Sequence, residues 1–184
     1  MASFYLPVLV FALGEKIMYN EKFTKTKKLT ISALCIALYV VVMMCTQSFA
    51  FGQYQIRIAT SLYALSAIFP FLVVPFGLAN FVSNAIMGGL GPLDMIGGAL
   101  VGSATSAFIV WLKSKEFPNY LIAAAITFIP GLGVPIWLSV ILGIPYWVLA
   151  SSIILGQFVP GIAGAVLVTA LEKKEILTEV MDKR

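Results

Sequence analysis

The chain has 184 residues, of which 60% are hydrophobic and 11% are charged. Ordinary soluble domains contain about 25% charged residues, so this composition excludes a soluble globular protein. One transmembrane helix takes about 20 residues, and we therefore expect room for about six spans and for no separate ATPase or catalytic domain. The function is expected to lie within the bilayer.

The net charge of +4 comes from short clusters of lysines at the ends of the apolar segments. Because no basic stripe is interleaved with aromatic residues, this pattern indicates membrane topology and not nucleic-acid binding. The sequence has no histidine, and Cys35 and Cys45 would be about 15 Å apart along one helix, too far for a disulfide. We expect free thiols, no metal site, no cofactor and no Ser-His or Cys-His catalytic pair.

Residues 1–24 form a predicted N-terminal extension. Its apolar stretch, residues 4–13, is too short to span a bilayer and contains Pro7. It lacks the basic start and the small-residue cleavage site of a signal peptide. We interpret the extension as an interfacial segment or as the result of a start codon upstream of Met18, and residues 25–184 as the membrane domain.

Charged residues divide this domain into uncharged runs that predict its spans. The runs 29–56 and 95–112 each fit one helix. The last run, 117–171, is long enough for two helices and carries a turn signal, Gly-Ile-Pro at 143–145, at its middle. This run is predicted to be a helical hairpin.

The run 58–93 is long for one helix, and Pro70 and Pro75 interrupt it. We predict two short spans here, 57–73 and 75–91. The expected fold is thus an all-α integral membrane protein, a bundle of six transmembrane helices.

Six spans place both termini on the same side of the membrane. Arg57 is the one basic residue on the opposite side, so the positive-inside rule predicts cytoplasmic termini and a plasma-membrane protein. The connections 51–57, 91–94 and 143–146 then face outward. The basic residues on the side of the termini are Lys25, Lys27, Lys28, Lys113, Lys115, Lys173, Lys174, Lys183 and Arg184.

Arg57 and Asp94 are the only charged residues within the predicted membrane-spanning body, and both fall at outward ends of spans. Ionisable groups at such positions are typical of functional sites, so both are candidate substrate-binding residues. Two structural interpretations remain open. Arg57 could extend to a lipid phosphate, and Asp94 could be the N-cap of the fourth span.

The outward loop before Arg57 combines aromatic residues with two carboxamides. Gln53, Tyr54 and Gln55 supply groups that can stack on a flat polar ligand and bond to its edges, which makes them substrate-binding candidates. An aromatic belt at the membrane interface is the alternative for the aromatic side chains.

Asn80 and Asn84 are four residues apart and share one helical face, which should turn into the bundle because a lipid-facing carboxamide would be unpaired. They are candidate ligand contacts, with hydrogen bonding between helices as the alternative, and the same choice applies to Gln157. The segment 130–135, with a proline at each end, predicts a break in the fifth span, either part of a substrate site or a packing kink.

Three short motifs resemble those of a known family: Phe-Gly-x-x-Gln-x-Arg at 51–57, Gly-Leu-Ala-Asn at 77–80 and Leu-Asp at 93–94. Through them, residues 27–172 resemble the QueT family of substrate-binding S components of energy-coupling-factor (ECF) transporters. The resemblance implies a six-helix S-component fold and a queuosine precursor, a 7-deazapurine base, as cargo. Thr60 departs from the family pattern, which has glutamate there, and a vitamin of cobalamin, flavin or pyridoxine type is the alternative cargo.

The resemblance also implies protein partners. Ala33 and Ala37 match a loose Ala-x-x-x-Ala motif that many S components press against a membrane-embedded coupling protein. Two ATPase subunits bound to that coupling protein would supply ATP hydrolysis, since the chain itself carries no nucleotide-binding motif.

Two other functional classes remain open. A membrane enzyme would need paired acids, a metal or an activated nucleophile, whereas the predicted membrane body offers one carboxylate and no Lys or His. A passive channel or a structural subunit needs no such chemistry. ATP-dependent uptake in reconstituted vesicles would distinguish an importer from that class.

Overall fold

The computed structural model describes residues 23–50, 55–87 and 89–182, with side chains up to Lys174. Within these ranges the chain forms seven α-helices and two 3₁₀ helices and no strand, which confirms the predicted all-α class. The α-helices are α1 (Lys25–Cys45), α2 (Gln47–Ala50), α3 (Val73–Ile86), α4 (Pro92–Ser114), α5 (Tyr120–Gly133), α6 (Pro135–Leu142) and α7 (Tyr146–Asp182), and the 3₁₀ helices are Ile58–Ala67 and Pro70–Leu72.

Four helices in the described part of the chain are long and apolar enough to cross a bilayer. The other two predicted spans are shorter, at Ile58–Ala67 and Pro70–Ile86. A ten-residue 3₁₀ helix reaches about 20 Å, which is less than the roughly 30 Å of hydrocarbon in a bilayer. Length and composition alone therefore do not confirm a count of six spans. The four long helices are Lys25–Cys45, Pro92–Ser114, Tyr120–Leu142 and Tyr146–Lys174.

The two short segments are divided earlier than the predicted spans 57–73 and 75–91. The chain turns at Ile68 and Phe69, ahead of Pro70, while Pro75 lies inside the first turn of α3. Proline is tolerated there because the first N–H groups of a helix have no partner within the helix. The prediction that Pro75 marks the turn was wrong for this reason.

The segment 130–135 interrupts the fifth predicted span, Tyr120–Leu142, without unwinding it. α5 continues through Pro130, and Val134, which joins α5 to α6, keeps helical backbone angles of −59° and −41°. The predicted break is thus a kink. The hairpin turn predicted at 143–145 is confirmed, because Gly143 ends α6 with a φ of +66°, a conformation that favours glycine.

The segments alternate in direction, so their ends gather in two groups. At one end, the Phe23 ring contacts the Phe69 ring edge-on, with centroids 5.9 Å apart. Lys113, at the end of α4, pairs with Glu172 of α7 at 2.7 Å. At the other end, α3 leads into α4 through residues 87–91, and α6 leads into α7 through 143–145. This arrangement places the polar residues near 57, 84 and 94 at the end opposite the start of α1.

The core lies where the 3₁₀ helix Ile58–Ala67 packs among α1, α4 and α7, with Tyr63 and Phe76 fully buried. Glycines allow the helices to approach closely. A Cβ at Gly77 would collide with the Ser103 side chain of α4, and one at Gly161 would come within 2.7 Å of the Ala123 carbonyl of α5. Both described cysteines are free thiols, as predicted.

Candidate ligand-binding site

A cavity opens between the 3₁₀ helix Ile58–Ala67, α3, α4, the kink between α5 and α6, and α7. It is narrow, with room for about one water molecule. Six of its ten lining residues carry a polar side chain, which is unusual for the interior of a protein with this composition. The lining residues are Gln55, Arg57, Thr60, Tyr63, Asn80, Val101, Pro130, Val134, Ile153 and Gln157.

The winding of the 3₁₀ helix aligns three of these polar residues. Arg57 caps its start, and Thr60 and Tyr63 follow at intervals of three. A 3₁₀ helix has three residues per turn, so side chains at this spacing stand one above the other. In an α-helix the same residues would drift by about 120° from Arg57 to Tyr63. The local winding therefore creates the polar row that faces the cavity.

Such a long 3₁₀ helix depends on its surroundings, because its hydrogen bonds have poorer geometry than those of an α-helix. The bond from the Thr60 N–H to the Arg57 carbonyl, 2.9 Å, shows the three-residue repeat. Six of the ten residues are buried, which holds the segment against α1, α4 and α7. Tertiary packing, more than local preference, sets this conformation.

Arg57 is the charged residue of the cavity wall. Its side chain is 6% exposed, so the protein itself covers it. This burial does not fit the alternative in which Arg57 extends outward to a lipid phosphate. A guanidinium carries only hydrogen-bond donors and stays charged, so it can form strong hydrogen bonds to acceptor groups of a ligand.

Thr60 and Gln157 connect the 3₁₀ helix to α7. The Thr60 hydroxyl lies 2.7 Å from Gln157 Oε1 and 2.7 Å from the Arg57 carbonyl, and its single proton serves one of them at a time. Gln157 Nε2 donates to the Gln55 carbonyl at 3.1 Å. Gln55 has a positive φ of 45°, uncommon for a residue with a side chain. Its backbone, held by Gln157, thus forms one rim of the cavity.

Asn80 and Asn84 lie on the buried face of α3, as their spacing indicates, and they belong to one hydrogen-bonded chain. Asn80 Nδ2 donates to the Tyr63 hydroxyl at 2.7 Å. Asn84 Nδ2 donates to Asn80 Oδ1 and to the Asp94 carbonyl, both at 3.2 Å. Gly98 of α4 makes room for the pair, because a Cβ there would come within 2.5 Å of Asn80 Oδ1. The asparagines therefore join α3 to α4 as well as to the cavity wall.

The Asp94 carboxylate is held beside the cavity and not in its lining. Trp137 Nε1 of α6 donates to Oδ1 at 2.9 Å, and the Leu90 N–H donates to Oδ2 at 3.3 Å. The helix begins earlier than predicted, with Gly91 as the N-cap and Asp94 in the first turn. The N-cap interpretation of Asp94 was therefore wrong. A carboxylate in the first turn is still stabilised by the positive end of the helix dipole.

The structure thus separates the predicted site residues. Gln55, Arg57 and Asn80 line the cavity, while Asn84 and Asp94 connect to it through hydrogen bonds. Gln53 and Tyr54 lie outside the described residues, as does most of the extension 1–24. Ala33 and Ala37 are exposed on α1, far along the chain from this wall.

Sequence reasoning missed two polar cavity residues and one supporting residue. Thr60 and Tyr63 follow Arg57 at intervals of three, a signal that a search for α-helical spacing does not detect. Trp137 bonds to Asp94 across 43 positions of sequence, and no local pattern indicates that contact.

A bundle of long apolar helices around a buried polar cavity defines a class, that of integral membrane proteins with an internal polar site. The family model of the QueT transporter matches residues 29–173, most of the chain. The chain therefore belongs to the QueT transporter family, a family of transport proteins and not of enzymes. No curated protein and no solved structure gives a significant match.

Proposed function

We propose that the protein is the membrane-embedded, substrate-binding S component of an ECF-type importer, and that its cargo is a queuosine precursor, a 7-deazapurine base. The observation that carries the proposal is the buried polar cavity with Arg57 in its wall, in a chain of a transport family. Polar side chains are costly inside a membrane protein and mark functional sites there.

The lining suits a small heterocycle better than a lipid or a sugar. The apolar wall, formed by Val101, Val134 and Ile153 among others, can cover the faces of a flat ring. The polar wall from Arg57 to Gln157 can bond to its edges. Because the cavity holds about one water molecule, binding of a base requires its walls to move apart.

Titration of the purified protein with 7-deazaguanine derivatives tests the cargo. We expect saturable binding with a dissociation constant at or below about 1 μM, which corresponds to about −8 kcal/mol. Isothermal calorimetry in detergent measures it directly. Binding of a flavin, cobalamin or pyridoxine-type compound instead would contradict the cargo and leave the transporter class in place.

A coupling protein carrying two ATPase subunits is the proposed partner. α1 is peripheral, with Tyr39 and Met43 as its buried residues, and the side that carries Ala33 and Ala37 is exposed. Ala33 and Ala37 lie on an exposed face, where small side chains permit another helix to approach. This arrangement supports α1 as the contact surface for the coupling protein.

We further propose that all six segments lie within the membrane and that both termini are cytoplasmic. In a variant lacking Cys35 and Cys45, a cysteine at Ile144 should react with an impermeant thiol reagent added to intact cells, because that turn is exposed at the outward end. A cysteine at Lys115 should react only after the cells are opened. The opposite labelling pattern would contradict the topology.

A further inference from the structure

The hydrogen-bonded chain behind the cavity has a fixed direction. The Asp94 carbonyl can only accept, so Asn84 must present its Nδ2 group there, at 3.2 Å. The same Nδ2 group faces Asn80 at 3.2 Å, which requires Asn80 to present its oxygen. One backbone carbonyl thus determines the orientation of both side-chain amides.

The orientation of the Asn80 amide determines whether the Tyr63 hydroxyl accepts or donates in the bond between them. With its oxygen turned to Asn84, Asn80 presents Nδ2 to the Tyr63 hydroxyl, 2.7 Å away. An amide nitrogen donates and cannot accept, so the Tyr63 oxygen accepts this bond. The proton of the Tyr63 hydroxyl must then go to a different acceptor.

Tyr39 of α1 is the other described neighbour of this hydroxyl. The two phenol oxygens are 3.1 Å apart, and the rings are stacked, with centroids 5.7 Å apart. If Tyr63 donated to Tyr39, the Tyr39 proton would have no acceptor among the hydrogen bonds of the described residues, although Tyr39 is 0% exposed. A buried donor without an acceptor costs about 1–3 kcal/mol. Donation from Tyr39 to Tyr63 instead leaves the Tyr63 proton, and Tyr63 borders the cavity, where a water molecule or a ligand can accept it.

In that arrangement the Tyr63 oxygen accepts from both Asn80 and Tyr39, and its own proton is left for the cavity that Tyr63 lines. We infer that Tyr63 is a ligand-binding hydrogen-bond donor. At the position of the cargo that faces the Tyr63 hydroxyl, it selects a carbonyl acceptor over an amino group. Tyr39, Asn80 and Asn84 are positioning residues that fix the direction of the donation.

Other residues of the wall agree with this selection. Arg57, which stands two turns before Tyr63 in the same row, also carries donors only. Thr60 and Gln157 lie within bonding distance of each other, so part of their capacity is used within the protein. The row from Arg57 to Tyr63 therefore presents donors, and the complementary edge of a heterocycle is one rich in acceptors.

The inference rests on the proposed cargo class and is tested with two ligands that differ in the group at position 6 and, with it, in the protonation of N1. 7-Deazaguanine carries a carbonyl at position 6 and a proton on N1, and 7-deaza-2,6-diaminopurine carries an amino group at position 6 and no proton on N1. We expect the unsubstituted protein to bind the carbonyl compound at least tenfold more tightly in calorimetric titrations. The Tyr63→Phe variant, which keeps the ring stacked on Tyr39, should bind it at least tenfold more weakly and lose most of this preference.

Two further variants separate donation from folding. Tyr39→Phe removes a bond to the Tyr63 oxygen but leaves the Tyr63 proton in place, so the preference should persist with less than fivefold weaker binding. Ser106→Ala removes a buried hydroxyl that does not line the cavity and should change neither quantity. Binding without a carbonyl preference, or a preference retained in Tyr63→Phe, overturns the inference and leaves the proposed function standing. Absence of saturable binding to both compounds contradicts the cargo proposal and the inference together.

Discussion

Replacing Arg57 with alanine should weaken binding of a 7-deazaguanine ligand at least 100-fold. Arg57 is 6% exposed in the cavity wall, where water competes poorly for its donors. A hydrogen bond to a charged group contributes about 1.5–3 kcal/mol, so loss of two such bonds corresponds to a factor of about 100 to about 20,000. Calorimetric titration of the detergent-purified variant measures the change.

Folding must be shown to survive the substitution. The thermal transition of Arg57→Ala in detergent, compared with that of Ser106→Ala, reports whether the helix bundle is intact. Ser106 is buried at 0% exposure, and its hydroxyl has no hydrogen-bond partner among the described residues, so its removal should be neutral or stabilising. Unchanged ligand binding in a folded Arg57→Ala protein would assign Arg57 a purely structural role.

The second large effect is expected on α1. Ala33→Trp should abolish association with the coupling protein and ATP-driven uptake, while ligand binding changes less than about twofold. The added ring would project from an exposed face, away from the buried residues Tyr39 and Met43, so the bundle itself should accommodate it. At a helix contact built on small residues, the same ring would separate the two backbones.

Val166→Trp is a matched control for this variant. Val166 is 61% exposed on α7, so a tryptophan there adds the same bulk to a different exposed face. Co-purification with the coupling protein should be lost for Ala33→Trp and retained for Val166→Trp. Loss of ligand binding together with complex formation in Ala33→Trp would contradict the partner surface and indicate an internal packing role.

The fold could be predicted where composition and charge carry the signal. Lysines at segment ends, the apolar runs between them and the Gly-Ile-Pro turn at 143–145 predicted the long helices and the last hairpin. The short segments were harder, because a proline tolerated in a first helical turn resembles a proline that ends a helix. Pro75 is of the first kind, whereas the sequence pattern predicts the second.

The site could be predicted in part, for a related reason. Asn80 and Asn84 share a face at the ordinary helical spacing, and both are buried. Arg57 stood out because charge is rare in an apolar chain. Tyr63 and Trp137 depend on which helices become neighbours, and that is decided by packing over the whole bundle.

The 3₁₀ helix Ile58–Ala67 makes the shape of the cavity sensitive to the number of residues in that helix. Each residue there turns the chain by about 120° and advances it by about 2 Å. Loss of one residue between Arg57 and Tyr63 would point the two side chains in different directions. Loss of three would restore a common direction but bring them about 6 Å closer together. Insertions and deletions in this stretch should therefore be tolerated only in steps of three. Even those would change the distance between Arg57 and Tyr63, and with it the size of the ligand that can bond to both.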